Sequence, residues 1–415
     1  MLDQLAICGG TPVRAQGYPD WPDVDEATVA RITETARSGQ WGGFPFPGPN
    51  TAIFAERFAA LHEVNHAIVM ANGTVTMEVA LKALGIGWGD EVIVPALTFA
   101  ATAYAPLAAG ALPVIVDVVP DSLAIDPDAV EAAITPRTRA IIPVHLGQVM
   151  ADMDRLVEIA KQHDLAIIED CAHSHGKQWQ GVSAGAIAEF GSFSHQSSKI
   201  LTSGEGGTLT TNDEHLAELA ASVIDCGRAK DAAEEHYTFG ANYRLSDLQA
   251  AALVGQLDKF EQQMAQRAEA AAYFEEQMAS VEGVRLLEID QRITRRSFYR
   301  YIVCISPEAF GGADNDLVCD ALDEEGIGTW VGYPSLTRDL LFQPWLSRLP
   351  VAVEHADRLR PEAWHCPVAE RAGGVETVYL DENVFRAGRD GVDDAVAAIL
   401  KLQAGASQLR SLMDS

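Results

Sequence analysis

The sequence predicts an α/β protein, with a mostly parallel central sheet flanked by helices and a smaller C-terminal α/β domain. Three observations carry that expectation. Between about residues 52 and 225, short apolar runs alternate with amphipathic stretches of helical period, the pattern of βαβ units whose sheet is covered on both faces. An unusually long helical stretch follows, from residue 245 to about 278. Beyond it the alternation resumes in shorter units. With 415 residues, of which 48% are hydrophobic, the chain can bury a large core in two or three domains.

Taken in order, residues 1–24 are loop-like and rich in Gly and Pro (Gly9, Gly10, Pro12, Pro19, Pro22), and form an N-terminal arm. The Pro- and Gly-rich stretch from 41 to 49 reads as a loop that packs on an aromatic surface or on a partner chain. Strands are expected over 66–71, 91–94, 112–116, 139–143, 165–169, 189–194 and 207–211, with helices such as 74–84 and 151–163 between them. The later strands crowd together, so antiparallel pairing is expected among them. The helix over 245–278 places Leu248, Ala251, Ala252, Leu257, Phe260 and Met264 at apolar positions, and its length suits a spine between two domains. A strand over 298–305 and helices over 315–325 and 390–403 complete the smaller domain. The expected division is an arm (1–24), a large domain holding the sheet (25–255), and a linking helix with a small C-terminal domain (256–415).

Charge excludes whole classes of partner. The chain carries 30 basic and 59 acidic residues, a formal net charge of −29, whereas nucleic acids and anionic membranes demand a basic footprint. The excess acid reads as a solvated surface. Six cysteines (Cys8, Cys171, Cys226, Cys304, Cys319, Cys366) form no C-x-x-C pair, which argues against a disulfide scaffold or zinc ribbon and for a reducing compartment. The N-terminus lacks a basic region followed by an apolar run, and no apolar stretch approaches the length of a membrane span. A soluble, cytoplasmic protein is expected.

The chemistry concentrates around Lys199. It sits in Ser194-His195-Gln196-Ser197-Ser198-Lys199-Ile200-Leu201-Thr202-Ser203-Gly204-Glu205-Gly206-Gly207, a run of small polar residues closed by glycines. Solvated surface lysines rarely have such company; a lysine that attacks a carbonyl beside an anionic cofactor does. Asp170 ends an apolar strand, where parallel sheets present ligand groups, although capping of the next segment would look the same. A Schiff-base lysine and a carboxylate partner for a pyridinium ring make the pyridoxal 5'-phosphate arrangement. Ala71-Asn72-Gly73-Thr74 joins a strand to a helix, and a helix N-terminus with glycine can take a phosphate; an Asn-Gly helix cap has the same sequence. Ser194 can offer a hydroxyl to that phosphate, though taken alone it reads as structural. Phe99 can face a flat ring or fill the core, and His173 can lie beside the ring or bond to backbone. His62-Glu63-Val64-Asn65-His66 matches H-E-x-x-H, but the helical period ends there and His66 opens a strand, so no metal site is expected.

In combination, Asn72-Gly73-Thr74, the segment from Glu169 to Gly176, the Lys199 segment and Gly240-Ala241-Asn242-Tyr243-Arg244-Leu245-Ser246-Asp247-Leu248-Gln249-Ala250-Ala251 resemble the DegT/StrS-type family of pyridoxal phosphate-dependent sugar and cyclitol aminotransferases. The resemblance runs from Gly9 to the final helix. It implies the fold-type I aminotransferase architecture and a homodimer with shared active sites. On that likeness Lys199 is catalytic, Gly73, Thr74 and Ser194 hold the phosphate, Phe99 stacks on the ring, and Asp170 pairs with the ring nitrogen. Asn242 would reach the phosphate bound by the other subunit. Many members have glutamine where His173 stands, a departure at the contact to the ring hydroxyl; His173 is the cofactor-binding candidate at that position. Relatives with histidine in place of the lysine are dehydratases; Lys199 supports amine transfer. The Lys199 segment is similar to ketocyclitol aminotransferases of aminoglycoside pathways, and Asn72-Gly73-Thr74 also resembles the branch making 3-amino-5-hydroxybenzoate. A keto-cyclitol or keto-sugar acceptor with L-glutamine or L-glutamate as donor is the expected pairing. An aromatising dehydratase or a nucleotide-sugar aminotransferase is the alternative. Tyr333, in the segment 330–336, is a candidate for the substrate pocket.

Overall fold

A computed structural model of the protein describes residues 4–43, 46–229 and 232–414. Five strands of the large sheet come first: β1 (His66–Met70), β2 (Glu91–Pro95), β3 (Leu112–Val116), β4 (Thr138–Ile141) and β5 (Ala166–Asp170). Two short strands, β6 (Gln178–Trp179) and β7 (Val182–Ser183), form a side hairpin, and β8 (Phe190–Ser194) and β9 (Gly207–Thr211) return to the sheet. Its seven strands lie in the order β1-β9-β8-β5-β4-β2-β3. The pairs β2–β3, β2–β4, β4–β5 and β5–β8 are parallel, while β9 runs antiparallel to both β1 and β8. The antiparallel pairing expected among the later strands is thus concentrated in β9.

Among the described residues, eight α-helices precede the smaller sheet: α1 (Glu26–Ser38), α2 (Pro49–Leu61), α3 (Gly73–Ala83), α4 (Ala101–Ala109), α5 (Pro127–Ala133), α6 (Met153–His163), α7 (Glu214–Ile224) and α8 (Asp247–Met278). One core cluster, including Val79, Val94, Leu112 and Ile168, lies on one side of the large sheet. A second, including Phe54, Ile93, Ile141 and Phe193, lies on the other. All five residues of β2 and all five of β9 are buried, as a sheet covered on both faces requires.

The α8 helix ties the large sheet to the C-terminal half. At its start, Asp247 accepts hydrogen bonds from Thr51 N–H (2.9 Å) and Asn50 N–H (3.2 Å), which satisfies free donors at the start of α2. Further along, the wholly buried Arg267 donates through Nε to Glu382 at 2.6 Å. The hairpin β10 (Arg228–Ala229) and β11 (Ala232–His236) lies beside α7. After α8 come β12 (Val284–Leu286), β13 (Ile293–Arg295), β14 (Arg300–Ile305), α9 (Asn315–Glu324), β15 (Thr329–Trp330) and β16 (Thr377–Asp381). A four-stranded sheet in the order β12-β14-β16-β15 packs a third core with Phe274, Phe310, Leu322 and Phe385, and β13 joins the side hairpin. The strand expected over 298–305 begins two residues later, at Arg300. Of the loop expected over 41–49, residues 44 and 45 lie outside the described residues; Trp41 accepts through its carbonyl from Asp247 N–H at 2.9 Å. Among the described residues, no helix is long and apolar enough to cross a membrane.

Candidate active site

The C-terminal ends of β1, β2, β5 and β8 converge, and the turns leaving them surround a cavity of about 640 Å³, within the range of small-molecule sites. Gly73, Thr74, Phe99, Asp170, His173, Ser194, Lys199 and Tyr333 all line it. Asn242 does not; it is exposed on the loop before α8, its Oδ1 accepting from Arg244 N–H at 3.4 Å.

Lys199 arrives through the connection between β8 and β9, whose antiparallel pairing sets Ser194 opposite Gly207. The small polar residues in this segment bond to its own backbone. Thr202 donates its hydroxyl to His195 O (3.0 Å) and accepts from Gly204 N–H (3.0 Å), while Lys199 N–H bonds Gln196 O (2.8 Å). Such ties hold the lysine in place: it is 7% exposed, with Nζ 4.0 Å from the centre of the Tyr299 ring. Burial lowers its pKa, opposed by the nearby Tyr299 and Asp170, which favours the neutral, nucleophilic amine. Burial raises the Tyr299 hydroxyl, but the charges of Lys199 and Arg300 and a hydrogen bond with Ser198 (2.6 Å) outweigh it and leave the pKa lowered.

Asp170 ends β5, and strand alternation sends it and Glu169 to opposite sides. Glu169 accepts from Gly185, Ile187 and Ala188 N–H at 2.9–3.2 Å and contacts His145 Nε2, so it anchors the approach to β8. Asp170 faces the cavity, where it accepts from Thr102 Oγ1 (2.8 Å) and Ala172 N–H (3.1 Å). Burial nonetheless raises its pKa, partly countered by these donors and by Lys199. A cationic ring nitrogen is the kind of group that offsets such a cost.

The opposite requirement, an anion, is met at the start of α3. Asn72 caps the helix by accepting from Val75 N–H at 3.0 Å, leaving the amides of Gly73 and Thr74 without intrahelical acceptors. A Cβ on Gly73 would lie 2.6 Å from Ser194 Cβ, and one on Gly207 would lie 2.4 Å from Asn72 O. These glycines let the helix start, β8 and β9 close together around the same point. Cradle, buried amine and carboxylate fit a phosphorylated pyridine aldehyde.

His173 is placed from both sides: Gly147 N–H donates to Nδ1 (3.3 Å), and Nε2 lies 3.1 Å from the Tyr333 hydroxyl. Since Nδ1 accepts, Nε2 carries the proton and donates to Tyr333; burial keeps the ring neutral by lowering its pKa well below the ordinary value. The Tyr333 ring also sits 5.9 Å from Phe99, which is 46% exposed and faces the opening. Sequence reasoning missed Thr102, Tyr299, Ser198 and Asp339, all at or beside the cavity. For Thr102 a signal existed: Thr98 and Thr102 stand four residues apart after a strand end, and their hydroxyls meet at 2.8 Å.

The H-E-x-x-H match dissolves in three dimensions. His62 caps α2 while His66 opens β1, with Glu63 between them at φ +54°. His62 accepts from Gly176 N–H through Nε2.

Comparison with known proteins identifies the family. A protein of Streptoalloteichus tenebrarius with the provisional name L-glutamine:3-amino-2,3-dideoxy-scyllo-inosose aminotransferase is 41% identical, over 99% of this chain and 100% of that protein. The L-glutamine:2-deoxy-scyllo-inosose aminotransferase of Micromonospora echinospora is 35% identical, over 98% of this chain and 99% of that protein. The crystal structure of 3-amino-5-hydroxybenzoic acid synthase matches with a TM-score of 0.83 and 32% identity, over 95% of this chain and 100% of that one. Residues 22–377 match the model of the DegT/DnrJ/EryC1/StrS aminotransferase family. On fold, site and near full-length similarity, the chain belongs to that family and is an aminotransferase.

Proposed function

We propose that this aminotransferase uses pyridoxal 5'-phosphate to move an amino group from L-glutamine to the keto group of a cyclitol. The observation that carries the reading is that the Lys199 amine and the Asp170 carboxylate open into one cavity beside the α3 N-terminus. When bound, that cofactor supplies an aldehyde carbon that takes up the amine and a ring that accepts electrons. Gly73 and Thr74 amides with the Ser194 hydroxyl would hold its phosphate, and Phe99 and His173 would lie against its ring. Asp170, fixed by Thr102 and Ala172, would hold the proton on the pyridine nitrogen. Lys199 moves protons at Nζ, since burial favours its neutral form. Tyr333 would face the acceptor.

The names of the relatives support the cyclitol acceptor and the glutamine donor. We take the working unit to be a cytoplasmic homodimer in which the exposed Asn242 completes the phosphate site of the second copy. The described cysteines are free thiols, as a reducing compartment favours. The domain division at 24 and 255 goes with this reading, the large domain carrying every cavity residue named for the cofactor.

The test is product analysis. With L-glutamine and a ketocyclitol, the enzyme should form the aminocyclitol, and Lys199→Ala should form none while keeping its fold by circular dichroism. The likeness to 3-amino-5-hydroxybenzoic acid synthase supports a second reading, an aromatising dehydration. A dehydrated aromatic product, with no amine transferred, would establish that reading and exclude the first.

A further inference from the structure

Lys177 does not line the cavity, yet its side chain is wholly buried. Its partners are not carboxylates but backbone carbonyls of one turn, residues 145–149. Nζ donates to Gly147 O (2.7 Å) and Val149 O (2.8 Å) and lies 3.4 Å from His145 O. Burial lowers its pKa well below the ordinary value, but the two short bonds need only the N–H groups that a neutral amine keeps.

That turn carries an N–H that bears on the cavity: Gly147 donates to His173 Nδ1 at 3.3 Å. Gly147 lies at φ +51°, and a glycine peptide reorients easily unless something holds it. Here the peptide planes on both sides of that N–H end in carbonyls that face Lys177 Nζ. The carbonyl of its own plane, Leu146 O, accepts from Val149 N–H at 3.0 Å. Gln148 fixes the turn from outside, donating to Ile302 O (2.8 Å) and accepting from Ile302 N–H (2.9 Å) on β14.

A neutral imidazole has two tautomers, and its partners choose between them. With Gly147 N–H facing Nδ1, the proton sits on Nε2, 3.1 Å from the Tyr333 hydroxyl. The Tyr333 oxygen then accepts, and its own hydrogen is left for the cavity. Burial raises the pKa of that hydroxyl well above the ordinary value, so the hydrogen stays on it. In the other tautomer Nδ1–H would collide with Gly147 N–H, and Nε2 would take the Tyr333 hydrogen for itself.

We propose that Lys177 is a positioning residue: by holding the 145–149 turn it fixes the His173 tautomer and makes Tyr333 a hydrogen-bond donor to the cavity. A keto oxygen, which can only accept, suits such a donor. That consequence rests on the keto-cyclitol reading above and deepens it.

The test is nitrogen NMR of the holoenzyme carrying isotope-labelled histidine, with the His173 signals identified by their loss in His173→Asn. In the wild type His173 should carry its proton on Nε2 alone. Lys177→Met keeps the length of the side chain and removes its donors. It should shift part of the population to the Nδ1–H form and lower kcat/KM for a ketocyclitol about tenfold, the contribution of one hydrogen bond. Lys177→Gln, whose shorter side chain keeps a donor group, should act likewise but more weakly. A wild type with the proton on Nδ1, or a folded Lys177→Met whose His173 keeps the single Nε2–H form, overturns the proposal. Failure of both variants to fold would make the lysine a structural residue and overturn it too. The NMR readout needs no substrate. A wild type that aminates no ketocyclitol, yet shows the expected tautomer and its shift in Lys177→Met, would refute the acceptor reading and leave the positioning role standing.

Discussion

Thr102→Val probes the support beneath Asp170, the carboxylate proposed above to pair with the cofactor ring. The Thr102 side chain is completely buried and its hydroxyl donates to Asp170 Oδ2 at 2.8 Å. Valine replaces that hydroxyl with a methyl of similar size, so packing is retained and the donor is lost. Hydrogen bonds to charged groups contribute about 1.5–3 kcal/mol, and tenfold in affinity corresponds to about 1.4 kcal/mol. Affinity for pyridoxal phosphate should therefore fall about 10- to 100-fold. The sign of the pH effect follows from the same contact. Burial already raises the Asp170 pKa, and Thr102 is one of the groups pulling it back. Without it the carboxyl protonates at higher pH, so the acid limb of the activity profile moves upward. The assay is a spectrophotometric cofactor titration, with the pH profile of kcat/KM alongside it. Thr102→Ser should recover most of the loss. Wild-type affinity in the valine variant, or a serine variant as weak as the valine one, would refute the reasoning.

Three other outcomes are expected. Gly73→Ala forces a Cβ to within 2.6 Å of Ser194 Cβ; it should cost about 1–3 kcal/mol of stability, as overpacking does, and weaken cofactor binding. Normal melting and normal titration together would remove Gly73 from the cradle. Glu382→Ala strands the buried Arg267 charge and should cost about 3–5 kcal/mol in a denaturant titration; a change near zero would show that the pair is not buried in solution. Acidification should destabilise the protein without cofactor. Burial lowers the pKa of His62 to about 4 and of His195 to about 3, from 6.5. Below 6.5 the unfolded chain takes up protons that the folded chain refuses, so stability falls as pH drops toward those values. Each histidine contributes about 1.4 kcal/mol per pH unit. A melting temperature that stays flat from pH 7 to 5 would contradict this.

The parallel part of the large sheet was legible because β2, β3 and β5 are short, largely apolar runs buried on both faces. The ends of β3 and β9 coincide with the expected ones, and those of β4 and β5 differ by a residue or two. By contrast, α1 escaped notice because its buried positions are Thr28 and Thr35, which leave no apolar stripe in the sequence. The strand β16 is five residues long and central only by virtue of its neighbours. In the site, Lys199, Asp170 and the α3 turn were visible because each carries local chemistry: glycines, a strand-end carboxylate, a helix start. Thr102 and Tyr299 were not, since what matters about them is contact with residues far away in sequence. Tyr299 also sits in an apolar run that looks like the start of β14, yet it precedes the strand and lies against Lys199. Asp339 stands in an aperiodic segment, and only its burial marks it out. The expected role of Asn242 in a second subunit came from family resemblance alone.

Reductive trapping tests the central claim most directly. Purified protein loaded with pyridoxal phosphate is treated with borohydride, digested and mapped by mass spectrometry. A pyridoxyl group should appear on Lys199 and disappear in Lys199→Ala, with loss of the visible absorbance. A label on Lys177, the other buried lysine among the described residues, or no label on a fully loaded protein, would contradict the account.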